Sequence, residues 1–316
     1  MKARGVRLDT AVASDIYYYA FNMLDPQVGG YSEQKRLLRQ AISSCIDLQT
    51  YIRIFFNGRG LIPQSPVPPE IFGYREKVAS HFGFDLKKAK DLLTKAGYKD
   101  GIDPATGQPL EIRYDISAVA GSSSDSRPQL QYLQEQFERV GLRLKIVSSD
   151  LNTYRRKIFD GNYQMFALGW LPDYPDPENF LFLLYGPNAN IPNHSENLAN
   201  YRNAEYDSLF DRMKAMENTP GRLAIIHRME DIVNADCPWI YMMHSVDFTL
   251  FHAWYLNNVT TDIINNHMKY KRIVPSLRTA YVRKYNRPVY WPVILLCLLM
   301  AVSLIPAVMA VRRKYK

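Results

Sequence analysis

Hydrophobic spacing along the chain changes period several times, and each change marks an element. Residues 15–24 are rich in Tyr and Phe and stop at Asp25-Pro26, which predicts a strand closed by a turn. From Ser32 onward Leu37, Leu38, Ala41, Ile42 and Cys45 recur at helical spacing. Asp47 is placed to cap a second helix carrying Tyr51, Ile52, Phe55 and Phe56, closed by Asn57-Gly58. Residues 60–74 hold Pro63, Pro66, Pro68 and Pro69 and predict a loop. Asp85 opens a further helix with Leu86, Ala89, Leu92, Leu93 and Ala96 on one face and Gly97 at its end.

The pattern then switches to period two. Leu110, Ile112, Tyr114 and Ile116 alternate with polar residues, as a half-buried strand does. A Gly/Ser loop at 121–126 leads to a helix with Leu130, Leu133, Phe137 and Val140 that stops at Gly141. Leu142, Leu144 and Ile146 predict the next strand, Asp150 caps a helix to Phe159, and Phe166–Trp170 is a short strand. Thr219-Pro220 starts a helix carrying Leu223, Ile226, Met229 and Val233, and Trp239–Met243 is a further apolar strand. The β–α–β–α–β order predicts an α/β fold with a mainly parallel sheet and helical crossovers.

The last pattern has no polar face. Val289–Val311 contains no charged residue, with Tyr290, Trp291 and Tyr315 at its ends and Pro306 inside. At roughly 1.5 Å per residue it is longer than the ~30 Å hydrocarbon core, which predicts one C-terminal transmembrane helix. Residues 275–288 read as a basic, aromatic link into it. Met1-Lys2-Ala3-Arg4 leads into no apolar run, so no signal peptide is read there.

Charge changes the picture little. The 316 residues carry a net +8, but Arg287, Arg312, Arg313, Lys314 and Lys316 account for five of it, leaving +3. The basic balance thus marks a membrane flank, where lipid headgroups are the partner, and gives no reason to expect nucleic acid. Cys45, Cys237 and Cys297 lack metal-ligand spacing and read as isolated thiols, with a Cys45–Cys237 disulfide neither excluded nor implied. His227 and Asp231 lie four apart on a helix, usually a surface pair. No nucleophile elbow, phosphate loop or zinc motif occurs, so neither an enzyme nor a cofactor or metal is expected.

One segment is dense in chemistry: GWLPDYPDPENFLFLLYGPN, residues 169–188, after a strand. Ligands of open α/β sheets bind at such strand ends. Trp170 offers a flat apolar wall and Asp173 an acceptor. Asp176-Pro177-Glu178 reads as an N-cap, so Asp176 is assigned a structural role.

Together these stretches resemble the periplasmic solute-binding proteins of ABC transporters for oligopeptides, dipeptides, nickel and related solutes. RLLRQAISSCIDLQTYIRIFFNGRG (36–60) with FGY (72–74), FDLKKAKDLLTKAGYKDG (84–101) and the GW-x-x-DYPDP block carry the likeness, which covers about residues 8–275. The resemblance implies a periplasmic binding protein-like (type II) lobe. It also implies capture of a peptide-like or related small solute outside the cytoplasmic membrane, for permease subunits. Trp170, Asp173 and Tyr174 are the expected ligand residues, with Asp173 meeting the α-amino group. Two departures are visible: Leu151 stands where peptide binders often have Trp, and loop 117–126 lacks the Arg that holds a dipeptide carboxylate.

The resemblance also sets the domain boundaries. Residues 1–30 link to a first lobe that precedes them in the family, 31–245 form the second lobe, 246–280 return toward the first, and 281–316 anchor the chain. With that lobe absent, Tyr17, Tyr19, Phe248 and Phe251 are expected to lie exposed. The basic flanks are nearly balanced, so the expected cytoplasmic C-terminus rests on the resemblance. The alternative from another class is a membrane-anchored sensor that signals through a partner protein.

Overall fold

Most helices begin where a short polar side chain can take up the first free amide groups. In a computed structural model, which describes residues 5–78, 83–118, 126–257 and 271–315, Asp47 accepts from the Thr50 amide at 2.9 Å. Asp85 accepts from Lys88 at 2.9 Å, Asp150 from Asn152 and Thr153 at 3.0 Å, and Asn203 from Glu205 and Tyr206 at 3.1 Å. These caps set the starts of helices Leu48–Phe55, Leu86–Lys95, Leu151–Phe159 and Ala204–Met213. Thr219 caps Pro220–Asp236, with Pro220 at the first helical position as expected.

The strands are β1 (Val6–Val12), β2 (Ile16–Phe21), β3 (Gly60–Leu61), β4 (Glu111–Ser117), β5 (Arg143–Ser149), β6 (Met165–Trp170) and β7 (Trp239–His252), with β8 (Tyr255–Asn257) and β9 (Lys271–Ile273) in a separate pair. The main sheet has the order β1-β7-β2-β6-β4-β5, and β3 pairs with β7. It is mixed, which corrects the expectation of a mainly parallel sheet. β4 runs parallel to β5 and β6, while β2 runs antiparallel to both β6 and β7. Helical crossovers impose direction only on β4, β5 and β6, which follow one another with helices between. β2 and β7 arrive from distant parts of the chain, so nothing local sets their direction.

The chain divides into two units. In the unit of residues 10–249 both faces of the sheet are covered, and the alternation of β2 shows how. Tyr19 and Phe21 point into one core, with Leu38, Ile42, Ile52 and Phe137. Ile16, Tyr18 and Ala20 point into the other, with Phe166, Phe180, Phe210, Met229 and Trp239. Tyr18 stacks on Trp239 with ring centroids 3.6 Å apart. Each large side chain buried this fully contributes roughly 1.5–3 kcal/mol. Tyr19, expected to be exposed, is 2% exposed because both faces are covered from within the chain, and Tyr17 is half-buried. Phe248 is 48% exposed, as expected, while Phe251 is half-buried.

Buried polar groups join the two cores. The Arg39 guanidinium, fully buried, donates to the Asp236 carbonyl at 2.9 and 2.6 Å and to the carbonyls of Val28 and Gly30 at 2.7 and 2.9 Å. It ties the helix Glu33–Cys45 to the end of Pro220–Asp236. Cys45 and Cys237 are free, buried thiols. Asp231 pairs with Arg75 at 2.7 Å rather than with His227, because the Arg75 guanidinium reaches across from a different segment.

β7 runs on to His252, well past the predicted Met243. Beyond Met243 the apolar run ends and the signal fades, but the backbone still pairs: Ala13 donates to the Ser245 carbonyl at 2.7 Å, and Gly60 lies opposite Ser245. In the second unit Pro275–Tyr285 is a helix where the sequence suggested only a link. Trp291–Lys314 follows as a helix whose residues are exposed throughout. Among the described residues it alone is long and apolar enough to cross a membrane. Residues 121–125 of the predicted Gly/Ser loop and 258–270 of the predicted return segment lie outside the described residues.

Candidate functional site

The dense segment begins at the end of β6. Register places Tyr17 opposite Gly169 and Ile16 opposite Trp170. A Cβ at position 169 would come 2.6 Å from the Tyr17 ring, so the glycine makes room for the tyrosine to lie across the strand. The chain then leaves the sheet at Trp170 and turns through residues 171–177 into the short helix Glu178–Leu181.

One amide organises this turn. The Asn179 Oδ1 accepts from the Trp170 indole at 3.2 Å and from the Asp173 backbone amide at 3.1 Å. Asn179 is itself buried, which makes these bonds costly to break. Phe182 meets the Trp170 ring edge-on, centroids 5.3 Å apart, and fixes the plane of the indole. At the far end of the turn Asp176 accepts from the Glu178 amide at 2.9 Å, the capping bond its sequence context predicts. Its carboxylate is also gripped by both terminal nitrogens of Arg222, at 2.6 and 2.8 Å. Arg222 is buried, so this bidentate pair clamps the turn to the helix Pro220–Asp236.

The predicted ligand residues fall into two groups. Trp170, half-buried, and Asp173 share the Asn179 anchor. The Asp173 carboxylate is exposed and takes no hydrogen bond or ion pair among the described residues. Tyr174 gives its hydroxyl proton to Glu178, with the Asn179 side chain also in reach of that hydroxyl. Its hydroxyl pKa is raised by burial, with the Glu178 carboxylate adding to the effect. A cavity of about 310 Å³ opens beside Trp170, lined among others by Phe159, Leu168, Leu183, His194 and Glu196. His194 stacks on Phe159 with centroids 4.9 Å apart. Neither Asp173 nor Tyr174 lines this cavity.

Asn179 and Arg222 are residues that sequence reasoning missed. Asn179 sits in a run that reads as helix, and its role appears only when the turn folds back on it. Arg222 lies 46 residues from Asp176. No sequence spacing reports such a pair. The arrangement offers an aromatic wall and an unpaired carboxylate on one rigid turn. It holds no nucleophile with a base, and no cluster of metal-ligating residues occurs among the described residues.

Residues 2–191 match the bacterial extracellular solute-binding proteins, family 5 Middle, and the chain belongs to that family. Heme-binding protein A of Haemophilus influenzae is 29% identical over 212 residues, 67% of this chain and 37% of that protein. The dipeptide-binding protein of Escherichia coli is 25% identical over 224 residues, 69% of this chain and 40% of its own length. Among solved structures, HbpA2 from Haemophilus parasuis superposes with a TM-score of 0.74 at 20% identity, covering 86% of this chain and 51% of its own. DppA from Helicobacter pylori, in complex with the peptide STSA, superposes with a TM-score of 0.68 at 22% identity, covering 85% and 49%. These solved structures share the fold. The chain spans about half the length of those it superposes on, and less of the curated relatives.

Proposed function

We propose that the chain is the solute-capturing component of an ABC importer, working outside the cytoplasmic membrane for permease subunits. Its solute is peptide-like and is held through a free amino group. The observation that carries this reading is the Asp173 carboxylate, unpaired and exposed on a turn that Asn179 holds rigid beside Trp170. An ammonium ligand would supply the missing counter-charge. Residues 31–245 form the ligand-facing lobe in this reading, and Trp170 packs against the solute. Tyr174 lines the outer edge of the site. Trp291–Lys314 anchors the lobe by crossing the lipid once, since exposed apolar residues along a whole helix need hydrocarbon around them.

Calorimetry with a panel of di- and tripeptides, their N-acetylated forms and haem tests the solute. Asp173→Asn keeps the shape but removes the charge, and should weaken peptide binding by roughly 2–5 kcal/mol. N-acetylation should cost about as much, and the two losses should not add, because both remove one ion pair. Trp170→Ala should weaken binding of either form through lost packing. Unchanged affinity in Asp173→Asn with abolished affinity in Trp170→Ala would replace the amine by a neutral solute. Unchanged affinity in both variants would move the site elsewhere.

A further inference from the structure

The unit that carries the apolar helix has a surface unlike that of a solvated domain. Between Lys271 and Arg287 lie Lys271, Arg272, Arg278, Arg283, Lys284 and Arg287, and no acidic residue follows to the end of the chain. Among the described residues of this unit the single carboxylate is Asp9, which already pairs with Arg7 at 2.8 Å. Nothing within the unit therefore neutralises these six cations. Exposed apolar side chains are mixed among them: Leu256, Ile273, Leu277 and Val282 are each more than a third exposed, and Val289 and Tyr290 more so.

This surface is held in shape by aromatic packing. β8 and β9 pair through Tyr255 and Ile273, Leu256 and Arg272, and Asn257 and Lys271. The Val274 amide donates to the Trp254 carbonyl at 2.9 Å. Trp254, buried, stacks on His252 at 4.0 Å and meets Tyr281 and Tyr285 at 5.9 and 6.3 Å. Those two tyrosines fasten the helix Pro275–Tyr285 to the strand pair, while Arg272, Arg278, Arg283, Lys284 and Arg287 stay exposed and Lys271 lies half-buried over the Phe251 ring. Only five residues, 286–290, separate this helix from Trp291–Lys314.

We infer that residues 250–257 and 271–290 form a collar that lies on an anionic lipid headgroup layer, its arginines and lysines on the phosphates and its exposed apolar side chains at the acyl boundary. The inference rests on the anchoring reading above and names the lipid that the anchor prefers. Mixed cationic and apolar surface is what an interfacial segment requires, and its attraction decays within a Debye length of the headgroups. The short connection to the apolar helix keeps the collar close to the bilayer.

The test reconstitutes the full chain in vesicles of phosphatidylcholine alone and of phosphatidylcholine with phosphatidylglycerol. Hydrogen exchange is followed at residues 271–287. We expect exchange about fivefold or more slower in the anionic vesicles. The protection should vanish in 0.5 M salt, and in a variant combining Arg278→Gln, Arg283→Gln and Lys284→Gln. These positions are exposed, so the variant keeps its fold, and unchanged exchange in the unit of residues 10–249 checks this. Equal exchange in the two kinds of vesicle overturns the collar. So does protection that rises with protein concentration in the neutral vesicles, which would assign the surface to a second copy of the chain. Carbonate extraction of the same vesicles reads the anchor separately: release of the chain defeats the anchoring reading, whatever the exchange shows.

Discussion

Between Thr10 and Thr249 most aromatic side chains of β2, β6 and β7 are divided between two covered faces, and even Arg39 is fully buried. Between Trp291 and Val311 the residues are as apolar, yet all are exposed. Apolar residues that alternate, or that recur at helical spacing, can be buried by their own chain. A helix that is apolar all round has no polar face to leave in water, so it needs a solvent of its own kind. The first region owes its stability to internal packing. In the anchoring reading proposed above, the second owes its place to lipid.

The comparison breaks if either region responds to a change aimed at the other. Phe21→Ala removes a fully buried ring from the first core and should destabilise the lobe by roughly 3–5 kcal/mol. Retention of the chain in membranes should be untouched. Release from the membrane by this variant would show that the lobe, rather than the helix, carries the attachment. Leu299→Arg places a charge near the middle of the apolar helix, where insertion costs about 2.5–3.5 kcal/mol more. The variant should become extractable by carbonate while the lobe's denaturant midpoint stays where it was. A shifted midpoint would mean that the helix packs on protein.

Two buried titratable groups sharpen the account of the lobe with a smaller effect. Glu230 is 0% exposed, and burial pushes its carboxyl pKa up to about 8, with Arg75 at 3.6 Å opposing this only in part. The stability it contributes is fully present below its ordinary pKa of 4.5 and is lost as pH rises through 8. His244 is also buried, and its Nδ1 lies 2.5 Å from the Asp15 carbonyl. A carbonyl only accepts, so Nδ1 carries the proton of a neutral ring. Burial lowers this imidazole pKa from 6.5 to about 4, so its contribution is present above 6.5 and is lost as pH falls through 4.

Between pH 4.5 and 6.5 the two slopes oppose each other, each at most about 1.4 kcal/mol per pH unit. From these two groups alone stability should be level in that window and should fall from 6.5 to 8. Glu230→Gln should remove the alkaline fall. His244→Asn, whose amide can still donate to Asp15, should turn the level window into a decline toward alkaline pH. Denaturant midpoints measured from pH 4 to 9 check both. An alkaline fall that persists in Glu230→Gln would assign it to other groups.

Much of this structure could be read from the chain. The caps at Ser32, Asp47, Asp85, Asp150 and Thr219 act within three residues, so their chemistry is written locally. The apolar C-terminal helix is equally local, because its signal is composition over consecutive residues. The resemblance carried by the GW-x-x-DYPDP block pointed to the family to which residues 2–191 belong. At the candidate site the sequence supplied Trp170 and Asp173 as residue types at a strand end, and the structural role of Asp176.

Tertiary structure decided the rest. The direction of β2 depends on partners that lie about 150 residues away at β6 and over 200 away at β7, and no period reports it. Tyr19 is buried because a second layer, built from the helices Glu33–Cys45 and Leu48–Phe55 together with Leu133 and Phe137, covers its face. The outer half of β7 is held by backbone bonds that carry no side-chain signature. Asn179 gains its role, and Arg222 its partner, only when the turn closes. Local composition and spacing determine where elements start and which solvent they require. Strand direction, burial and the pairing of Asp176 with Arg222 are long-range facts, set by which surfaces meet once the chain has collapsed.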